Sequence, residues 1–266
     1  MVFRIVDSVT GAMQLSPNLS SFQVQFQWVV STAMRMVNVG ALLGLVTSVV
    51  AGGSQTGALQ VEVKPGAYAV SYLEVRRSAA NEAIEALRSY REASRAEPGW
   101  IGIELLAQIG RPGHFATVER WASQSALEAH DQAASTRQLA DKLELIRTSE
   151  YDRRPYRALT VPTRAAQAGA EAVVVVSHVD TLPSPQSDAA GLLKQLAERS
   201  RQDAGNLLFD VVQHAARANH FTVIEIWRDS AAQQTHAETP HVRDYRERFK
   251  AMSGSPLDER LFTIIR

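Results

Sequence analysis

The sequence predicts an α+β protein built from two βαββαβ units packed sheet against sheet inside one chain, with a hydrophobic segment ahead of them. Three observations predict it. The chain repeats itself at a constant spacing, each copy carries the same order of elements, and strands in the second copy are apolar on both faces.

The repeat comes first, because it divides the chain. Glu97–His130 and Asp203–His236 align with Gly99 against Gly205, a spacing of 106 residues. The same spacing pairs Arg111 with Arg217, His114 with His220, Phe115 with Phe221, Glu119 with Glu225, Trp121 with Trp227 and His130 with His236. It continues without a gap from residue 68 to residue 159. The domains are therefore 66–160 and 172–266, joined by a small-residue linker at 161–171.

Each element has a local reason. Tyr68–Val75 and Ala172–Val179 are rich in β-branched and aromatic residues and read as strands. Ala83, Leu87 and Tyr90, like Ala189, Leu193 and Leu196, fall at i, i+4, i+7 and mark a helix. Gly99 and Gly205 follow, where the reversal needs a permissive backbone. Two strands come next in each unit, Trp100–Ala107 and Phe115–Trp121, then Leu207–Gln213 and Phe221–Trp227. Arg111-Pro112-Gly113 and Arg217-Ala218-Asn219 supply the hairpin turns. Ser123 and Asp229 stand as N-caps of a second helix, which carries His130 or His236. Final strands are expected at Tyr156–Val161 and Leu261–Ile265. This is the ferredoxin-like split order. Helices cover one face of such a sheet. Val223 lies on one face and Ile224 and Ile226 on the other, so the other face needs cover too, and the second sheet is the expected partner.

Composition narrows the function. The chain carries 28 basic and 28 acidic side chains, so nothing favours nucleic acid or an anionic membrane surface as a partner. It has no cysteine, which excludes disulfides, thiolate metal sites and cysteine nucleophiles. Residues 1–60 form an N-terminal extension. From Val39 to Val50 they are a compact apolar run after Met34-Arg35-Met36, followed by small residues. That pattern suggests a secretory signal, at about 36–51, with translation starting at Met34 or Met36 and an exported, periplasmic product. The alternatives are a membrane anchor using residues 28–51, the one expected route to membrane association, or a cytoplasmic protein with a hydrophobic segment.

Glu-x-Trp closing the third strand, a His nine residues beyond that Trp, an aromatic at Phe115 or Phe221 and the Gly after the first helix occur twice in the right order. In these features both units resemble antibiotic-biosynthesis-monooxygenase domains of the dimeric α/β-barrel superfamily. The resemblance implies an intramolecular dimeric α/β barrel. It further implies oxygenation of a small aromatic, quinol or polyketide-like substrate by dioxygen, with no cofactor. Haem-degrading relatives use an Asn on the first strand, with a Trp and then a His on the second helix. Here Ser71-Tyr72 and Ser177-His178 stand on the strand, His130 or His236 at the Trp position and Ala140 or Arg246 at the His position, so haem degradation is disfavoured.

Oxygenation without a cofactor needs a base near neutral pH and a surface that orients the ring. His130 and His236 are the candidate proton acceptors, and Trp121 and Trp227 the candidate stacking partners. Phe115, Phe221, Tyr72 and His178 are candidate substrate contacts. Arg137 and Arg243, seven residues beyond the histidines, are expected on the same helical face to stabilise a phenolate. Each has a plainer reading: Trp as core, Glu119 and Glu225 as hydrogen-bond acceptors that fix the fold, His as a bridge between helix and strand, Arg as a surface ion-pair partner. No metal is expected: His236 and His241 are five apart with Pro240 between them, which does not put both on one helical face. A non-catalytic ligand-binding or stress-response barrel is the alternative function. Five of the seven histidines lie in the second unit, so one unit can be active while the other completes the barrel.

Overall fold

The computed structural model describes residues 64–162, 167–183 and 188–266; the signal or anchor reading of 28–51 lies outside them. Among the described residues no helix is long and apolar enough to cross a membrane.

Unit one runs β1 (Ala67–Glu74), α1 (Ala80–Ser94), β2 (Trp100–Gln108), β3 (His114–Trp121), α2 (Gln124–Asp131), α3 (Ala134–Glu144) and β4 (Asp152–Thr160). Unit two repeats it as β5 (Val173–Asp180), α4 (Ala189–Ser200), β6 (Asn206–His214), β7 (His220–Trp227), α5 (Ser230–Ala237), α6 (Pro240–Lys250) and β8 (Asp258–Ile265). All pairings are antiparallel, and the eight strands close in the order β1-β3-β2-β8-β5-β7-β6-β4. The two sheets therefore meet edge to edge as well as face to face. Leu106 pairs with Ile264 across β2 and β8, and Ala158 pairs with Val212 across β4 and β6. These two seams are repeat-equivalent. They use up the edge strands of both sheets, which would otherwise expose unpaired backbone groups.

Strand alternation sorts the core. Val70, Val118, Val174, Val176, Ile224 and Ile226 fill the barrel interior. Val175, Val211, Val223 and Trp227 face outward beneath α4 and α6. Gly99 and Gly205 do adopt positive φ, at 81° and 87°, and a Cβ on either would sit 2.6 Å from Ala126 or Ala232. Ser123 Oγ and Asp229 Oδ1 accept from Ala126 N and Ala232 N, as N-caps should.

Two expectations need correction. The second helix of each unit is two helices, with a corner after Asp131 and after Ala237. In unit two Pro240 opens α6 at the one helical position where a missing N–H costs nothing, and Thr239 Oγ1 caps the His236 carbonyl at 2.8 Å. The last strands begin at Asp152 and Asp258, several residues before Tyr156 and Leu261. Pro155 and a run of charges hide that start in the sequence, yet Arg153 and Glu259 lie within it.

Candidate active site

Period two puts Glu225 and Trp227 on the helix-facing side of β7, where both are buried. The Trp227 indole N–H donates to Glu225 Oε2 at 2.7 Å. His236, on α5, stacks on Trp227 with ring centroids 4.4 Å apart and planes 28° apart. Its Nδ1 donates to Asp203 Oδ2 at 2.7 Å, and its Nε2 faces Glu225 Oε2 at 3.7 Å. A backing carboxylate that fixes the tautomer leaves Nε2 as the basic nitrogen. Burial lowers the His236 pKa, against the pull of Asp203, so the imidazole is held neutral. Burial pushes Glu225 up to about 8, with the Trp227 hydrogen bond opposing it.

A small pocket, about 30 Å³ in volume, opens against this pair; its walls include Ser177, Glu225, Gln233, His236, Tyr245, Arg246 and Glu259. Two hydroxyls in its wall, Ser177 Oγ and Tyr245 OH, are buried with no hydrogen-bond partner. Unpaired buried hydroxyls are costly, and a bound polar ligand would satisfy them.

Unit one carries the same His–Trp–Glu geometry and fills the space at Nε2 with side chains, while an open groove lined by Glu97, Gly99, Ser123, Ala126 and His130 borders the cluster. His130 stacks on Trp121 at 4.4 Å and 27°, and its Nδ1 donates to Glu97 Oε2 at 2.7 Å. Tyr90, which matches Leu196, donates from its hydroxyl to Glu119 Oε1 at 2.8 Å and lies 2.5 Å from His130 Nε2. Arg153, which matches Glu259, binds both Glu119 oxygens and also Asp131. Burial alone would raise Glu119, but the Arg153 guanidinium and His130 hold it down at about 2. Burial opposes charge on His130 as well, yet its bonds to Glu119 and Glu97 raise it. One copy is thus an ionised, saturated cluster. The other is a neutral pair facing a pocket.

Several sequence candidates stand elsewhere. Trp121 and Trp227 are fully buried behind the imidazoles, Trp227 orienting Glu225 and His236 without lining the pocket. Phe115 and Phe221 belong to the cores beneath the helices. Tyr72 and His178 face the barrel interior, where they meet edge to face at 5.4 Å, with Arg260 4.7 Å from the Tyr72 ring centre. Arg137 and Arg243 are exposed, because the helix on which they were to share a face with His130 and His236 turns a corner. The pocket arginine is Arg246 instead. His236 and His241 share Asp203 although Pro240 keeps them off one helical face, because the corner brings His241 to Asp203, Nε2 to Oδ2 at 3.2 Å.

Sequence reasoning missed Ser177, Tyr245, Glu259 and Asp203. A signal existed in the repeat: acids at both 97 and 203, and an Arg-to-Glu reversal between 153 and 259.

Comparison with known proteins places this geometry. The family model described as antibiotic biosynthesis monooxygenase matches residues 67–142 and 172–248, once in each unit. The chain belongs to the antibiotic biosynthesis monooxygenase family. A relative described as "Putative monooxygenase YcnE", from Bacillus subtilis, is 27% identical over 86 residues, covering 32% of this chain and 90% of the relative. A solved structure described as a "Putative monooxygenase" from Fusobacterium nucleatum has a TM-score of 0.68 at 15% identity, covering 76% of this chain and 93% of that one. Another, described as an anthrone oxidase-like protein, has a TM-score of 0.61 at 12% identity, covering 77% and 93%. These structures share the fold. Membership of the family supports a monooxygenase-like function using a small molecule and dioxygen.

Proposed function

We infer that unit two is the working site of a cofactor-independent monooxygenase that oxidises a small aromatic or quinol-type substrate with dioxygen. The observation that carries this is the unit-two pocket, where an Asp203-backed His236, a buried Glu225 and two unpartnered hydroxyls converge. His236 Nε2 accepts the proton that activates the substrate. Glu225, Tyr245 and Ser177 hold the oxygen atoms of the ring system, and Arg246 at the rim steadies developing negative charge.

The reaction balances without a cofactor. The deprotonated substrate carbon passes one electron to dioxygen, and the pair recombines as a peroxide. That peroxide takes the proton back. The same carbon then loses its second hydrogen as the O–O bond breaks, which leaves a carbonyl and water. The pocket's contribution is to exclude bulk water and to keep the base beside the acidic C–H or O–H.

Oxygen uptake by metal-free, flavin-free protein across a quinol and anthrone panel tests this. His236→Ala is expected to lower kcat/KM by about 10²–10⁴-fold, the usual worth of a positioned base, while His130→Ala retains turnover. No uptake on any substrate, or equal effects of His236→Ala and His130→Ala, would defeat the reading and favour a non-catalytic ligand-binding barrel.

A further inference from the structure

We propose that Asp203, His236 and His241 form a site for a divalent transition ion of the zinc type, and that filling it blocks the proton-accepting nitrogen of His236. The second half of this rests on the function given to His236 above; the first half does not.

One ligand atom from each of the three side chains lies within 4.8 Å of the other two. Asp203 Oδ2 is 2.7 Å from His236 Nδ1 and 3.2 Å from His241 Nε2. Zinc bonds of about 2.0–2.2 Å in a tetrahedron set ligand atoms about 3.3 Å apart, so the Asp203–His241 spacing already fits and the Asp203–His236 spacing must open by about half an ångström. Two borderline imidazole donors beside a single hard carboxylate suit zinc, cobalt or nickel better than magnesium or calcium. The Asp203 and His241 side chains are 21% and 13% exposed, which leaves a path for the ion and room for a water as fourth ligand. The far nitrogen of His236 faces Glu225 Oε2 at 3.7 Å, where a proton on that nitrogen would find an outer acceptor of the kind metal-bound histidines commonly have.

The first unit is an internal control. It repeats the pair, His130 on Glu97, but has Ser135 where unit two has His241. That hydroxyl donates to Glu97 Oε1 at 2.6 Å and completes a hydrogen-bonded brace with no third nitrogen. The brace is common to both copies. Only unit two adds the ligand that turns it into a site.

An ion on Nδ1 takes the lone pair of that nitrogen and places the neutral ring's proton on Nε2. His236 then has no acceptor facing the pocket, so the ion inhibits.

Calorimetric titration of chelator-stripped full-length protein with zinc chloride is the first test, and visible absorption on adding cobalt chloride is the second. One equivalent of zinc and a tetrahedral cobalt spectrum are expected. His241→Ser, which installs the unit-one residue and is expected to fold with an unchanged metal-free Tm, should weaken zinc binding at least 100-fold, about 2.7 kcal/mol. It should also keep turnover while abolishing inhibition by zinc. Absence of both heat and cobalt bands, or parental affinity in both His241→Ser and Asp203→Asn, overturns the site and leaves a hydrogen-bonded triad. Zinc that binds at one equivalent without inhibiting overturns the switch. Failure of turnover in every metal-free preparation counts against the oxygenase reading alone, since the binding heats do not depend on it.

Discussion

Glu119 and Glu225 are the same residue in two copies of one fold, and their surroundings give them opposite charge states. Arg153 and His130 keep Glu119 ionised at about 2, whereas Glu225 has no cation of that reach and sits at about 8. The difference is one reversed charge, Arg153 against Glu259, and one lost hydroxyl, Tyr90 against Leu196. Arg153→Met should therefore unfold the chain more easily, by about 3–5 kcal/mol, because it strands a buried carboxylate. Urea denaturation checks it. The pH dependence has a definite sign. The groups facing Glu119 are Arg153, His130, Tyr90 and Trp121. Its pKa is depressed on folding, so its contribution is complete above its ordinary value of 4.5 and is lost as pH falls from there towards about 2. Glu119→Gln should be less stable than the parent at pH 7 and lose less on acidification, as read from Tm against pH.

At the scale of elements, the last strand and the corner between the paired helices decide which copy is open. Both were poorly legible in the sequence. Alternation and β-branched content reveal β1, β3, β5 and β7, and the two glycines fix the reversals before β2 and β6. β4 carries Asp152-Arg153-Arg154-Pro155, which reads as loop because a proline and three charges break the apolar pattern. Tertiary pairing overrides that pattern: Arg154 pairs with Val70, and Pro155 with Ala69. The corner is equally hidden in unit one, where no proline marks it. So the histidine and tryptophan pairs were legible from the repeat, while the closing residues were not, since a closing side chain is defined by what it reaches. Grafting unit one's closing pair onto unit two, as Leu196→Tyr and Glu259→Arg together, should fill the pocket. The expected outcome is a higher Tm and abolished ligand binding and oxygen uptake. A variant that still turns over would show that catalysis does not use this pocket.

For the whole molecule, the ring closes only through strand pairings between the halves. β2 needs β8, and β4 needs β6. Inside the ring, Arg120 donates to Glu104 at 2.6 and 2.7 Å and lies 3.7 Å from Asp210, the repeat equivalent of Glu104, so a single cation serves both halves. A fragment of residues 64–162 would expose both seams along with the apolar inner face. It is expected to elute as a self-paired dimer or as aggregate, and light scattering on the eluted peak checks this. A well-folded monomer would show that the seams are dispensable.

Because each half finds its complement on its own chain, no second molecule is ever needed to make the ring. An assembly of identical subunits must carry every substitution twice. Here a change that ruins chemistry in one half leaves the other untouched. Covalent linkage thus frees the halves to divide their labour, and a locked half can act as ballast for a half that must stay hollow.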